Sequence, residues 1–216
     1  DQPTTAAPFG HALVEAAGKN PKIVGMTADL GKYTDLHIFA QAYPDRYYQM
    51  GMAEQLLMMA GAGMAREGFI PFVTTYSVFA SRRAYDFICL AIAEEKLNVK
   101  IVSALPGLTT GYGPSHQATE DIAIFRGMPN LTIIDPCDAV DIEQPRVLDR
   151  FEGYQFEIGK AKRLLDGEDA LIISSGLMTM RAIEAADELR EKGTNVAVLH
   201  CATIKPLDTD TILAEV

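Results

Sequence analysis

The sequence predicts an α/β fold: a mostly parallel sheet with helices on both faces, followed by an incomplete second α/β domain. Three observations predict it. Short runs such as Ile23-Val24-Gly25-Met26-Thr27 and Val99-Lys100-Ile101-Val102-Ser103 alternate with segments whose apolar residues recur at helical spacing. The strand candidates are near-continuous apolar runs, the pattern of strands buried on both faces. Glycine, proline and aspartate punctuate the junctions between them.

The elements follow in order. Residues 9–18 carry Phe9, Leu13, Ala16 and Ala17 at helical spacing and stop at Gly18. Residues 23–27 form a strand, and Ala28-Asp29-Leu30-Gly31-Lys32-Tyr33 is turn-rich. A short helix over 35–43 ends near Pro44, and Tyr47-Tyr48-Gln49-Met50 is a strand. A helix over 53–66 is followed by a strand over 71–74 and a long helix over 77–95. The strand 99–103 leads into a Gly/Pro/Thr loop over 104–116, a helix over 118–127 and a strand over 131–134. Another helix begins after Asp135-Pro136, and Pro145 cuts it after about two turns by removing a backbone donor. The second domain has a strand over 170–175, a helix over 177–192 stopped by Gly193, and a strand over 195–200. The expected domains are 1–144 and 150–216. In parallel sheets ligands bind beyond the carboxyl ends of the strands, so the segments after 47–50, 71–74 and 99–103 should converge.

Composition narrows the function. The chain has 216 residues, with 48% hydrophobic and 22% charged, as a packed globular core requires. No apolar run reaches the roughly 18 residues of a membrane span. The N-terminal stretch lacks the basic and apolar regions of a secretory signal. A net charge of −10 argues against general nucleic-acid or membrane binding. Cys89, Cys137 and Cys201 are odd in number and far apart, without zinc-site spacing. Cys89 and Cys201 read as buried thiols, and a reducing cytoplasm fits.

Four motifs carry chemistry. Glu54 stands in the first turn of an otherwise apolar helix, between Met52 and Leu56-Leu57-Met58-Met59. Such a carboxylate either faces the helix dipole or meets a specific partner that offsets its desolvation. Tyr76 and Phe79, three apart at a strand-to-helix junction, are either core or the walls of a slot for a flat ring. His116 sits in Gly111-Tyr112-Gly113-Pro114-Ser115-His116-Gln117, and no Gly-Lys-Ser/Thr follows, which excludes a P-loop. Asp29 lies in the turn Thr27-Ala28-Asp29-Leu30, where an Asx-turn is the plain alternative. His11, His37 and His200 have no companions that suggest catalysis.

Taken together and in order, Gly51-Met52-Ala53-Glu54-Gln55, Thr74-Thr75-Tyr76-Ser77-Val78-Phe79, Gly113-Pro114-Ser115-His116-Gln117 and Asp135-Pro136 resemble the pyrimidine-binding half of transketolase and its thiamine-dependent relatives. Ile204-Lys205-Pro206-Leu207-Asp208 is similar to the family's C-terminal domain, which the resemblance implies is truncated here. The resemblance implies a thiamine diphosphate-dependent enzyme in which Glu54 bonds the aminopyrimidine ring and activates the cofactor. Tyr76 and Phe79 would form the ring's slot, Asp29 would lie at the cofactor interface, and His116 would serve the sugar donor. Arg82 or Arg83 would reach a substrate phosphate or a partner chain; Lys32 and Tyr33 are further candidates. The family's Gly-Asp-Gly…Asn motif for Mg²⁺ and diphosphate is absent from this sequence. The resemblance therefore implies a split transketolase, two copies of each chain, whose N-terminal-half partner supplies metal and diphosphate. Gly61 and Gly63 would lie where two copies of this chain meet. The implied reaction moves a two-carbon ketol unit from a ketose phosphate, or a related modified sugar, to an aldose.

The sequence also departs from the family. Tyr112 stands where transketolases carry an Asp that reads sugar hydroxyls, and Ala104-Leu105-Pro106 lacks the usual His. The family's helix after Asp135-Pro136 is longer, so a segment is expected to be absent between Gln144 and Pro145. The run Tyr76 to Asp86 looks like that of deoxyxylulose-phosphate synthase. A synthase of that kind, a 2-oxo acid decarboxylating subunit, and a non-catalytic regulatory subunit are the alternatives.

Overall fold

The computed structural model describes residues 7–137, 151 and 154–216. They fall into two compact units, Thr5–Leu131 and Thr132–Val216. The boundary expected near residue 144, the helix after Asp135-Pro136 and the Gln144–Pro145 junction lie outside the described residues.

The first unit is built on a four-stranded parallel sheet in the order β2-β1-β3-β4. Its strands are β1 (Ile23–Thr27), β2 (Tyr47–Gln49), β3 (Ile70–Tyr76) and β4 (Lys100–Ala104). Every residue of β1 is buried, as its apolar run requires. The helices are α1 (Pro8–Lys19), α2 (Leu36–Ala42), α3 (Glu54–Arg66), α4 (Ser77–Arg83), α5 (Tyr85–Ile88) and α6 (Asp121–Gly127). One core cluster packs Leu13, Ala17, Leu36 and Phe39 against Ile23. Another packs Leu57, Met58, Ala62, Val73, Ile88 and Ile92. Both layers follow from helices whose apolar stripes face the sheet.

Two expectations change. The single helix over 77–95 is broken: α4 ends at Arg83, α5 is one turn, and Cys89–Ala93 is a π-helical turn. Ser81 supplies a physical cause, because its hydroxyl donates to the Ser77 carbonyl at 2.7 Å, a back-bond that bends helices. The strand expected over 131–134 shrinks to β5 (Ile133–Ile134), and it pairs antiparallel with β9 (Thr203–Lys205). Cys89 is half-buried rather than buried, whereas Cys137 and Cys201 are buried.

The second unit holds β6 (Lys162–Leu165), β7 (Ala170–Ser174) and β8 (Val196–His200) in the order β6-β8-β7. β7 and β8 run parallel, and β6 joins β8 antiparallel. Helix α7 (Leu177–Glu191) lays Ala182, Ile183 and Ala186 against Val196 and Val198. Helix α8 (Thr209–Glu215) is capped by Asp208, which accepts from the Thr211 amide and hydroxyl and from the Ala161 amide. β6, β9 and α8 were not foreseen in the sequence; the first two are three or four residues long and only half alternating.

Candidate cofactor-binding site

The carboxyl ends of β1, β2, β3 and β4 bring the predicted residues to one edge of the first unit. Glu54 opens α3 and is only 3% exposed. Its carboxylate accepts from Arg83 Nη1 at 2.9 Å, and Arg83 lies at the end of α4. Removal of a carboxylate from water demands such a compensating partner. Arg83 also sits over Phe79, with Cζ 3.9 Å from the ring centroid.

Tyr76 ends β3, and Phe79 is in the first turn of α4. Both are buried, with ring centroids 5.9 Å apart and planes 24° from parallel. His116 meets them edge-on, 5.2 Å from Phe79 and 6.1 Å from Tyr76. It stands in a 3₁₀ turn (Pro114–His116), and its Nδ1 is 2.9 Å from the Ser115 hydroxyl. Tyr33 adds an edge contact to Tyr76 at 6.4 Å, and Tyr112 lies 5.4 Å from His116. Both outer tyrosines are exposed. Burial, with Tyr112 and Tyr33 nearby, pushes the Tyr76 phenol above its usual range, so it stays protonated. Aromatic pairs of this geometry contribute about 0.5–1.5 kcal/mol beyond burial, which favours a rigid cluster.

Asp29 has a left-handed backbone, φ 60°. Its side chain accepts from the Gln49 amide at 3.0 Å, and Gln49 Oε1 accepts from the Asp29 and Gly51 amides at 2.8 and 3.0 Å. Gln49 thereby ties the Asp29 turn to the segment entering Glu54. Arg82 forms an exposed ion pair with Glu120. Arg82 and Thr119 hold the Glu120 carboxyl down at about 2.

Sequence reasoning missed several supporting residues. Ser77 donates to the buried Asp121, whose other oxygen accepts from the Ile122 amide. This bond pins the start of α6, five residues after His116, to the start of α4, between Tyr76 and Phe79. Thr27, Thr34 and Thr74 form a buried hydroxyl network at the ends of β1 and β3. Thr75 Oγ1 is buried without a hydrogen-bond partner. The signals were faint: a Gln at a strand end, and an Asp directly after Thr119-Glu120 at a helix start.

These residues could hold the pyrimidine half of thiamine diphosphate. The Arg83 guanidinium shows that a flat hydrogen-bond donor is accommodated between the Glu54 carboxylate and the Phe79 ring.

Residues 1–145 match the family described as Transketolase, pyrimidine binding domain, and residues 159–216 match Transketolase, C-terminal domain. The chain belongs to the transketolase family. It is 68% identical to an uncharacterized transketolase family protein of Sinorhizobium fredii, over all of this chain and 68% of that protein. It is 34% identical to a 6-deoxy-6-sulfo-D-fructose transketolase subunit of a Clostridium species, over 93% of this chain and 69% of the relative. Among solved structures, a split-gene transketolase in the form of an inactive beta4 tetramer superposes with a TM-score of 0.85 at 36% identity, covering 98% of this chain and 76% of that one.

Proposed function

We propose that this chain is the pyrimidine-binding subunit of a split transketolase, active only with a partner that supplies the diphosphate and Mg²⁺ site. The observation that carries this reading is the buried Glu54 carboxylate, joined through Arg83 to Phe79 of the Tyr76–Phe79–His116 cluster within one unit. Thiamine diphosphate, when bound, supplies a nucleophilic carbon able to carry a two-carbon ketol unit. The chain's own residues do the rest. Phe79 and Tyr76 stack the aminopyrimidine and exclude water. Glu54 accepts a hydrogen bond from the ring, which holds its protons where the reaction needs them. His116 donates to the oxygens of the sugar donor from the rim of the slot, oriented by the Ser115 hydroxyl. Asp29, held by Gln49, lies beside the segment that enters Glu54.

Two further parts belong to the proposal. The site works in the cytoplasm on a ketose phosphate, or a related modified sugar, and an aldose. Copies of this chain associate through the outward face of α3 and the segment entering it, where Leu56 and Met59 on the helix and Met52 before it are exposed. The beta4 tetramer of the solved relative supports self-association.

The test is calorimetric titration of thiamine diphosphate and Mg²⁺ into this chain alone and into its mixture with a partner carrying the Gly-Asp-Gly…Asn motif. Binding in the mixture alone supports the reading, and tight binding to the chain alone overturns it. In the active mixture, Glu54→Ala should lower turnover by at least about 10²-fold, within the range of proton-transfer catalysis. The assembly should stay intact, as checked by sedimentation. Ketol transfer from a ketose without loss of CO₂ separates this reading from a decarboxylating enzyme.

A further inference from the structure

Arg83 makes two contacts that the proposed cofactor ring would also make. Its Nη1 donates to Glu54 Oε1 at 2.9 Å. Its Cζ stands 3.9 Å from the Phe79 ring centroid, a distance that leaves no room for another flat ring between them. A guanidinium is planar, donor-only and well suited to stacking on aromatic faces. It therefore presents to this pocket the same face and the same donor edge as a nitrogen heterocycle. Guanidinium and heterocycle cannot hold both positions at once. Arg83 is also free to leave, because its side chain is 49% exposed while Glu54 is 3% exposed. Arg82, its neighbour, is engaged by Glu120 and does not replace it.

We infer that Arg83 is the resident occupant of the pyrimidine seat, a positioning residue that must swing away from Glu54 and Phe79 before the aminopyrimidine binds. The inference rests on the proposed function. It has two consequences. The binding-competent state is the fraction of molecules with Arg83 withdrawn, so the apparent affinity for the cofactor is lowered by that fraction. While the seat lacks its ligand, Arg83 compensates the buried carboxylate that an open pocket would leave alone.

The experiment uses the complex with the diphosphate-site partner and titrates thiamine diphosphate with Mg²⁺ by calorimetry. Arg83→Ala should tighten binding by about tenfold or more, the amount expected if the open state is a tenth of the population or less. Arg83→Lys keeps the charge without the flat fork and should give a smaller gain; it serves if the alanine variant fails to assemble. In a Glu54→Gln background the gain from Arg83→Ala should shrink to about threefold or less, because the contact that holds Arg83 is already weakened. Unchanged or weaker binding in Arg83→Ala, while the wild-type complex binds normally, overturns this inference and leaves the proposed function standing. A wild-type complex that binds no cofactor overturns both.

Discussion

At the scale of single residues, two acids near the slot play different parts. Glu120 is exposed and paired with Arg82, which with Thr119 holds its carboxyl at about 2, below the usual 4.5. A depressed folded-state value means that any stabilisation is present above about 4.5 and is lost as the pH falls toward 2. The pair is solvent-screened, and such pairs contribute little to stability. Arg82→Leu should move the Glu120 titration back up toward 4.5 in a carboxylate NMR experiment while leaving the thermal midpoint at pH 7 nearly unchanged. A Glu120 titration that stays near 2 would show that Thr119 and the local backbone, not Arg82, hold it down. Asp121 is the contrasting case. It is buried and accepts from the Ser77 hydroxyl and the Ile122 amide. Asp121→Ala leaves a buried hydroxyl without its acceptor, at a cost of about 1–3 kcal/mol. Urea unfolding should show that loss, and Ser77→Ala with Asp121→Ala together should lose less than the sum of the two single changes. Additive losses would mean that the two side chains do not act as a clamp.

At the scale of elements, α3 joins the sheet to the site, and its two glycines are not equivalent. A Cβ at Gly61 would meet Val73 Cγ1 at 2.8 Å, so this glycine lets α3 approach β3 closely. A Cβ at Gly63 would meet nothing within 4 Å. The sequence suggested one explanation for both, a subunit contact; the structure gives Gly61 a reason inside its own chain. Gly61→Ala should therefore destabilise the chain by about 1–3 kcal/mol through overpacking. Gly63→Ala should stabilise the separate chain by up to about 1 kcal/mol through helix propensity. Chemical denaturation reads both signs, and equal effects would mean that the glycines do share one role. This asymmetry shows why the sequence was legible only in part. Periodicity placed β1, a fully buried run, and the starts of α1, α3 and α7, which carry apolar stripes; it also placed β2 and β4, although neither is fully buried. It missed the break after Arg83, which depends on the Ser81 back-bond rather than on any Gly or Pro. It missed β6 and β9, whose short strands owe their form to tertiary pairing. In the site, Glu54, Tyr76, Phe79 and His116 were legible because they stand at strand-to-helix junctions. Gln49, Asp121 and Arg83 were harder to read, since their roles rest on partners 20, 44 and 29 residues away.

At the scale of the whole molecule, the question is which surface copies of the chain would share. α3 packs beside α5 and the π-helical turn, and all three carry large apolar side chains outward. Met52 is 80% exposed, Leu56 53%, Met59 46% and Leu90 54%. Single exposed apolar residues are ordinary, but several on adjoining elements are the mark of a surface that another protein covers. The proposed self-association uses this face. A charge placed there would have to be desolvated on association, which costs far more than the small loss of apolar contact within the chain. Met59→Glu should therefore shift the sedimentation of this chain from its oligomer to a smaller species, with a thermal midpoint little changed at high dilution. Asp210→Lys, on α8 in the second unit, should leave the oligomer intact. If Met59→Glu sediments as the wild type does, copies of this chain meet elsewhere, and the exposed α3 face belongs to the partner subunit or to none.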